Sequence, residues 1–170
     1  MKFRCPAFNI YLVLITLAFA PGCHTSKEGD PKKELSSIRL HVELTAGVEH
    51  SAPITVHGVP ISIEREAFLT EKDLSHASVI DAIGGGYSMQ LDFDSHGTLV
   101  LDMTTASSKG RRVAIFTQAD KPRWLGAPVV NNRNANGMLV FTPDCTREEA
   151  ERIVRGLNNT VKKLHRGTIL

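Results

Sequence analysis

The segment from Thr146 to Leu164 constrains the fold more than any other. Thr146 and Glu149 follow Pro143-Asp144 with capping-box spacing, in which a hydroxyl and a carboxylate satisfy unpaired amides at a helix start. Behind them Ala150, Ile153, Val154, Leu157, Val161 and Leu164 fall on one helical face. A stripe this continuous has to be buried, and upstream the chain supplies mostly alternating apolar and polar residues. A helix laid on a sheet buries both apolar faces, so the pattern predicts an α+β domain, with helices on one face of a largely antiparallel sheet.

The alternation can be followed along the chain. Residues 38–44 alternate as a half-buried strand does, residues 47–53 break the pattern, and residues 59–64 are extended again, continuing to Phe68-Leu69. Thr70 stands as a helix cap with Glu71 and Asp73 in the first turn. Leu74, Ala77, Val79, Ile80 and Ile83 then give a helical stripe that Gly84-Gly85-Gly86 stops. Met89, Leu91 and Phe93 alternate with Gln90, Asp92 and Asp94. After a turn at Ser95-His96-Gly97, Leu99, Leu101 and Met103 alternate in their own right, so the two runs read as a hairpin. Residues 104–110 read as a turn or short helix, 112–118 as a strand, 120–126 as a loop, 124–130 as extended, 131–137 as a polar turn and 138–141 as a short strand.

The N-terminus is of a different kind. Behind Lys2 and Arg4, residues 8–20 carry one strongly polar side chain, Asn9, and no charge, which is a signal-peptide core and shorter than the about 20 residues a stable span needs. Ala20 and Gly22 are the small residues that a signal peptidase accepts, and Cys23 follows. This pattern resembles the lipobox of bacterial lipoproteins, with Pro21 where Ser, Ala or Thr is usual. The resemblance implies cleavage between Gly22 and Cys23 and a lipid on Cys23 that tethers the protein to the membrane. The alternatives are an ordinary signal peptide with a chance cysteine, or an uncleaved anchor. Residues 24–33 are polar and aperiodic, so the expected organisation is a signal peptide over 1–22, a flexible tether over 23–36, one domain over 37–164 and a tail over 165–170. The implied location is the bacterial cell envelope, facing the periplasm. His24, rather than Asp, after the cysteine leans to the outer membrane.

Without residues 1–22, Lys plus Arg falls from 20 to 18 against 18 Asp plus Glu. A neutral chain argues against nucleic acid as a partner, because phosphate binding needs a cationic excess. Of the three cysteines, Cys5 leaves with the signal, Cys23 is the acylated one, and Cys145 remains alone ahead of the last helix, where the helix dipole would lower its pKa unless burial keeps the thiol inert. The histidines at 24, 41, 50, 57, 76, 96 and 165 form no HExxH and no i, i+4 pair, so neither a metal nor a cofactor is expected. Asp92, Asp94 and Asp102 occupy alternating polar positions, as on a solvated sheet face. Gly84-Gly85-Gly86 lacks the strand-to-helix context of a phosphate loop, and no Gly-x-Ser-x-Gly elbow exists, so no catalytic residue is assigned. One segment stands out: Arg123-Trp124-Leu125, holding the sole Trp between Pro122 and Pro128. An exposed Trp124 would anchor a partner, as aromatics do at interface hot spots, whereas a buried one would plug the domain edge.

A set of ordered matches covers residues 68–157. They are Leu69-Thr70-Glu71-Lys72-Asp73-Leu74 with Ala77, the run Met89 to Phe93, and Thr105 with Ser108, Gly110, Arg111 and Ala114-Ile115. Ala127-Pro128-Val129-Val130, Gly137, and Thr146-Arg147-Glu148-Glu149-Ala150 with Leu157 follow. In order and spacing these resemble the head part of the first periplasmic domain of SecD, the membrane partner of the bacterial protein-export channel. Ser108 and Arg111 stand where that family has Asn and Lys, and the segment 120–126 is longer than its tight turn. The resemblance implies a ferredoxin-like head, two helices on one face of a four-stranded sheet, and a capacity to contact polypeptide. It does not imply translocase activity, since SecD couples proton flow to export through membrane helices and no apolar segment after residue 23 is long enough to span. The expected function is therefore that of a non-catalytic, lipid-anchored envelope protein that binds protein or peptide partners. A structural envelope component and a small enzyme, such as a hydrolase, with an unrecognised site are the alternatives.

Overall fold

A computed structural model describes residues 34–167; Gly22, Cys23, the signal segment and all but the last residues of the tether lie outside them. The elements are β1 (Ser37–Leu44), β2 (Ser51–Val56), β3 (Val59–Glu64), β4 (Leu69–Thr70), β5 (Leu74–Asp81), β6 (Tyr87–Phe93), α1 (Ser95–Ser107), β7 (Val113–Gln118), β8 (Pro122–Gly126), β9 (Met138–Phe141) and α2 (Arg147–Gly167). The fold is α+β. One antiparallel sheet runs β2-β3-β1-β7-β8, with β4 paired to β1, and a second runs β5-β6-β9. The four-stranded sheet implied by the resemblance is thus replaced by two sheets, which share the main core.

The last helix forms where its capping box and stripe place it. Thr146 Oγ1 accepts the Glu149 N–H at 3.2 Å, and Ala150, Ile153, Val154, Leu157 and Val161 are buried against β5 and β1. Each large apolar side chain so buried contributes about 1.5 to 3 kcal/mol. The helix continues through His165 and Arg166, and the Arg166 charge in its last turn offsets the dipole. Ile38, Leu40, Met89, Leu91, Leu101, Ile115 and Leu125 are among the other residues of the main core.

Four segments depart from the sequence expectation. The helix expected over 70–83 is instead the short strand β4, a turn and the strand β5. Its i, i+3 spacing of Leu74 and Ala77 comes from an irregularity between Leu74 and His76 that skips one residue of the alternation. The apparent cap closes the turn: Asp73 Oδ2 accepts the Thr70 N–H at 2.9 Å, and the Asp73 N–H returns to the Thr70 carbonyl at 3.2 Å. The expected hairpin over 89–103 is half right, since β6 is a strand but residues 95–107 are helix. Asp94 is the N-cap and accepts the Gly97 N–H at 2.8 Å. The polar positions expected on a solvated sheet face are accordingly split, with Asp94 at the cap and Asp102 within α1. Residues 122–123, expected as loop, join 124–126, where the expected loop and extended segment overlap, to form β8, and β2 begins at Ser51, inside the expected break.

Candidate functional site

Strand β8 pairs with β7, with Trp124 opposite Phe116 and Arg123 opposite Thr117. It sends the three side chains of the candidate segment to three places. Leu125 is fully buried in the main core. Trp124 is half-buried on the other side of β7, edge-on to Phe116 at 5.1 Å and to His41 at 5.7 Å, where it packs against the small cluster of Val56, Ile61, Ile63 and Ala114. His41 is itself held by a 2.9 Å bond between its Nδ1 and the Glu64 carbonyl. Arg123 donates from Nη1 to both Glu149 oxygens, at 3.1 and 3.2 Å, and from Nη2 to the Asp144 carbonyl. It therefore pins β8 to the start of α2.

Arg123 also borders a cleft of about 560 Å³ lined by Leu35, Ser36, Lys121, Glu149 and Arg152. The cleft lies at the point where the chain enters β1. Ion pairs cross it or flank it, Arg152 with Asp120 at 3.1 Å and Arg155 with Glu34 at 3.6 Å. Such partly exposed pairs contribute little to stability, so their effect is to give the cleft a mixed, charge-balanced wall.

The sequence reading missed a second surface, between α1 and β9. Helix α1 is apolar on more than one side: Leu101 is buried, while Leu99 and Met103 are 58% and 64% exposed. Val129, Met138 and Val140 are exposed as well, and a groove of about 210 Å³ runs beside the last of these. The segment 131–137 is fastened to α1 by two contacts. Arg133 Nη2 donates to Asp102 Oδ2 at 2.6 Å, and the Asn134 N–H donates to Thr105 Oγ1 at 2.8 Å. The signal was present in Asp94, an N-cap residue ahead of an apolar run, but the alternation of Leu99, Leu101 and Met103 masked it.

The Arg133 guanidinium, through its hydrogen bonds and charge, holds the Asp102 carboxyl below its ordinary value. A depressed carboxyl favours the clamp above the unfolded Asp value of about 4, and the clamp is lost as pH falls through the depressed native value. A carbon-detected NMR titration is expected to give Asp102 a midpoint below that of an unstructured Asp, and Arg133→Gln is expected to raise it. An unshifted midpoint in the unaltered protein would contradict the clamp.

Among the described residues no three His, Cys, Asp or Glu side chains gather as metal ligands would. The Cys145 thiol is pushed up to about 11, chiefly by burial and then by Glu149, so burial outweighs any influence of the helix dipole. Tyr87 covers it by donating to the Cys145 carbonyl.

This geometry defines an α+β domain with antiparallel sheets, two helices packed on them, and shallow surface grooves. The profile of the family described as SecDF, P1 head subdomain, matches residues 48–159, about two thirds of the chain. The chain belongs to that family. A solved structure of a membrane component SecDF that enhances protein export is similar with a TM-score of 0.57 and 18% identity, covering 74% of this chain and 63% of that one. A SecDF crystal structure in a super-membrane-facing form gives the same TM-score and identity over 74% of this chain and 19% of that one. This chain thus spans less than two thirds of either. No curated protein sequence matches it.

Proposed function

We propose that this chain is a lipid-anchored protein of the bacterial cell envelope, whose SecDF P1 head domain faces the periplasm and binds polypeptide without catalysis, in a role related to protein export. The observation that carries the reading is the family match across residues 48–159. The export role is supported by the similar SecDF structure, described as that of a component that enhances protein export. The anchor rests on the Cys23 pattern. Among the described residues no helix is long and apolar enough to cross a membrane, so an attachment through Cys23 would supply the membrane contact. In this reading the domain contacts polypeptide and does not itself drive its movement. Arg123 and the cleft it borders, together with the α1–β9 surface, are the places such contact would use.

Membrane fractionation of the full chain with Cys23→Ala tests the anchor. The variant is expected in the soluble fraction and the unaltered protein in the membrane fraction after a high-salt wash. A variant that stays firmly on the membrane would contradict lipid attachment.

A further inference from the structure

The second sheet has two outer edges, and they are built differently. At β5, the outward N–H and C=O of Ala77 are both taken by the Asn158 side chain of α2, which accepts and donates at 2.9 Å. That amide occupies the place a neighbouring strand would take. Open edges template the pairing of further strands, and a fold that covers one is guarding it.

At β9 the cover is incomplete. The Phe93 N–H donates to the Gly137 carbonyl at 2.8 Å, which fixes the phase of the antiparallel ladder. Leu139 and Phe141, opposite Leu91 and Met89, therefore turn their backbone groups toward β6, and Met138 and Val140 turn theirs outward. The Met138 carbonyl accepts Asn134 Nδ2 at 2.7 Å. Neither the N–H nor the C=O of Val140 has a hydrogen-bond partner among the described residues. The strand, Met-Leu-Val-Phe, contains no charge and no proline, and its register with β6 has no bulge. The strand is short, and the charges, prolines and bulges that also blunt an edge are absent from it. Beside it runs the groove of about 210 Å³, with Leu101, Val113, Val129 and Leu139 in its lining and Asn131 and Asn132 among its exposed residues.

We propose that β9 is a docking edge for an extended segment of another polypeptide, which adds to the sheet as a fourth strand. The segment's backbone bonds to the Val140 N–H and C=O, and alternate side chains enter the groove. An unpaired backbone donor and acceptor side by side are matched by another backbone, and a groove of this size receives single side chains rather than a folded surface. Recognition through the backbone tolerates differing sequences. This inference rests on the proposed polypeptide-binding function and gives it a mode and a place.

The test uses the full-length protein in detergent micelles and a fluorescein-labelled peptide of about ten residues, alternating valine and threonine, with lysines at its ends. A twin peptide has its interior amides N-methylated, which removes the backbone donors and keeps the side chains. The unmodified peptide is expected to bind, and the twin to bind about tenfold more weakly or worse, because the bond to the Val140 C=O is lost and that acceptor is left unpaired beneath a methyl group. Val140→Pro, at an outward-facing amide where a strand tolerates proline, is expected to weaken the unmodified peptide to a similar degree. Val140→Thr, which keeps the amide, is expected to leave binding unchanged. Equal binding of the two peptides would overturn strand addition while leaving polypeptide binding in place. A dimer that the peptide does not displace and that Val140→Pro dissolves would assign the edge to a second copy and overturn the proposal. If neither peptide binds, the edge is not a docking site, and crosslinking in the envelope decides separately whether the domain meets polypeptide elsewhere.

Discussion

Leu157→Ala is expected to lower the unfolding free energy by about 2 to 5 kcal/mol, the cost of deleting a fully enclosed leucine and leaving a cavity. Leu157 has no solvent exposure and sits in the middle of the α2 stripe, where the helix crosses toward β1 and β5. Its neighbour Asn158 makes both bonds to Ala77, so a shift of α2 into the cavity would lengthen them as well. Domains of this size hold only about 5 to 15 kcal/mol in total, so the loss is a large share. Urea unfolding followed by Trp124 fluorescence measures it, because that ring lies in the separate small cluster and reports whether unfolding is global. A loss of under about 1 kcal/mol would show that α2 is not packed as described.

Gly137→Ala is expected to cost about 2 to 4 kcal/mol through two effects that add. The residue has φ +69°, which disfavours any side chain, and an added Cβ would collide with Thr98 Oγ1 and stand 3.0 Å from Thr98 Cβ and Cγ2. Gly110 separates the two, since its φ is +82° and a Cβ there meets nothing within 4 Å. Gly110→Ala should therefore lose only the conformational part, about 1 kcal/mol. Adding Thr98→Ala to Gly137→Ala should recover much of the difference. Equal losses at the two glycines in thermal or urea unfolding would mean that the approach of segment 131–137 to α1 is not tight.

The parts of the fold that were legible are those whose signal is local. The capping box and stripe of α2 and the alternation in β1, β3, β6 and β7 are all read within a few residues. The strand β5 was hidden because its irregularity moved Leu74 and Ala77 to helical spacing. The helix α1 was hidden because its apolar residues do not keep to one side, so Leu99, Leu101 and Met103 passed for a strand face. Pro53 read as a breaker, yet β2 is an outer strand of its sheet, where a missing N–H is tolerated. The site was less legible than the fold. Nothing in Arg123-Trp124-Leu125 says that its side chains part company, since Arg123 finds Glu149 26 residues away and Trp124 finds His41 from another strand. The open edge of β9 depends on which strand lies beside which, and that is settled by pairing between distant segments.

Whether this head domain meets polypeptide in the envelope is decided by photocrosslinking in intact cells. Benzoylphenylalanine would replace Val129, exposed beside the groove, and separately Val59, exposed on the β2–β3 hairpin. Position 129 is expected to capture many exported chains of differing sequence, and position 59 is not. Capture of a single abundant envelope protein from both positions, or of no polypeptide from either, would contradict the proposed contact.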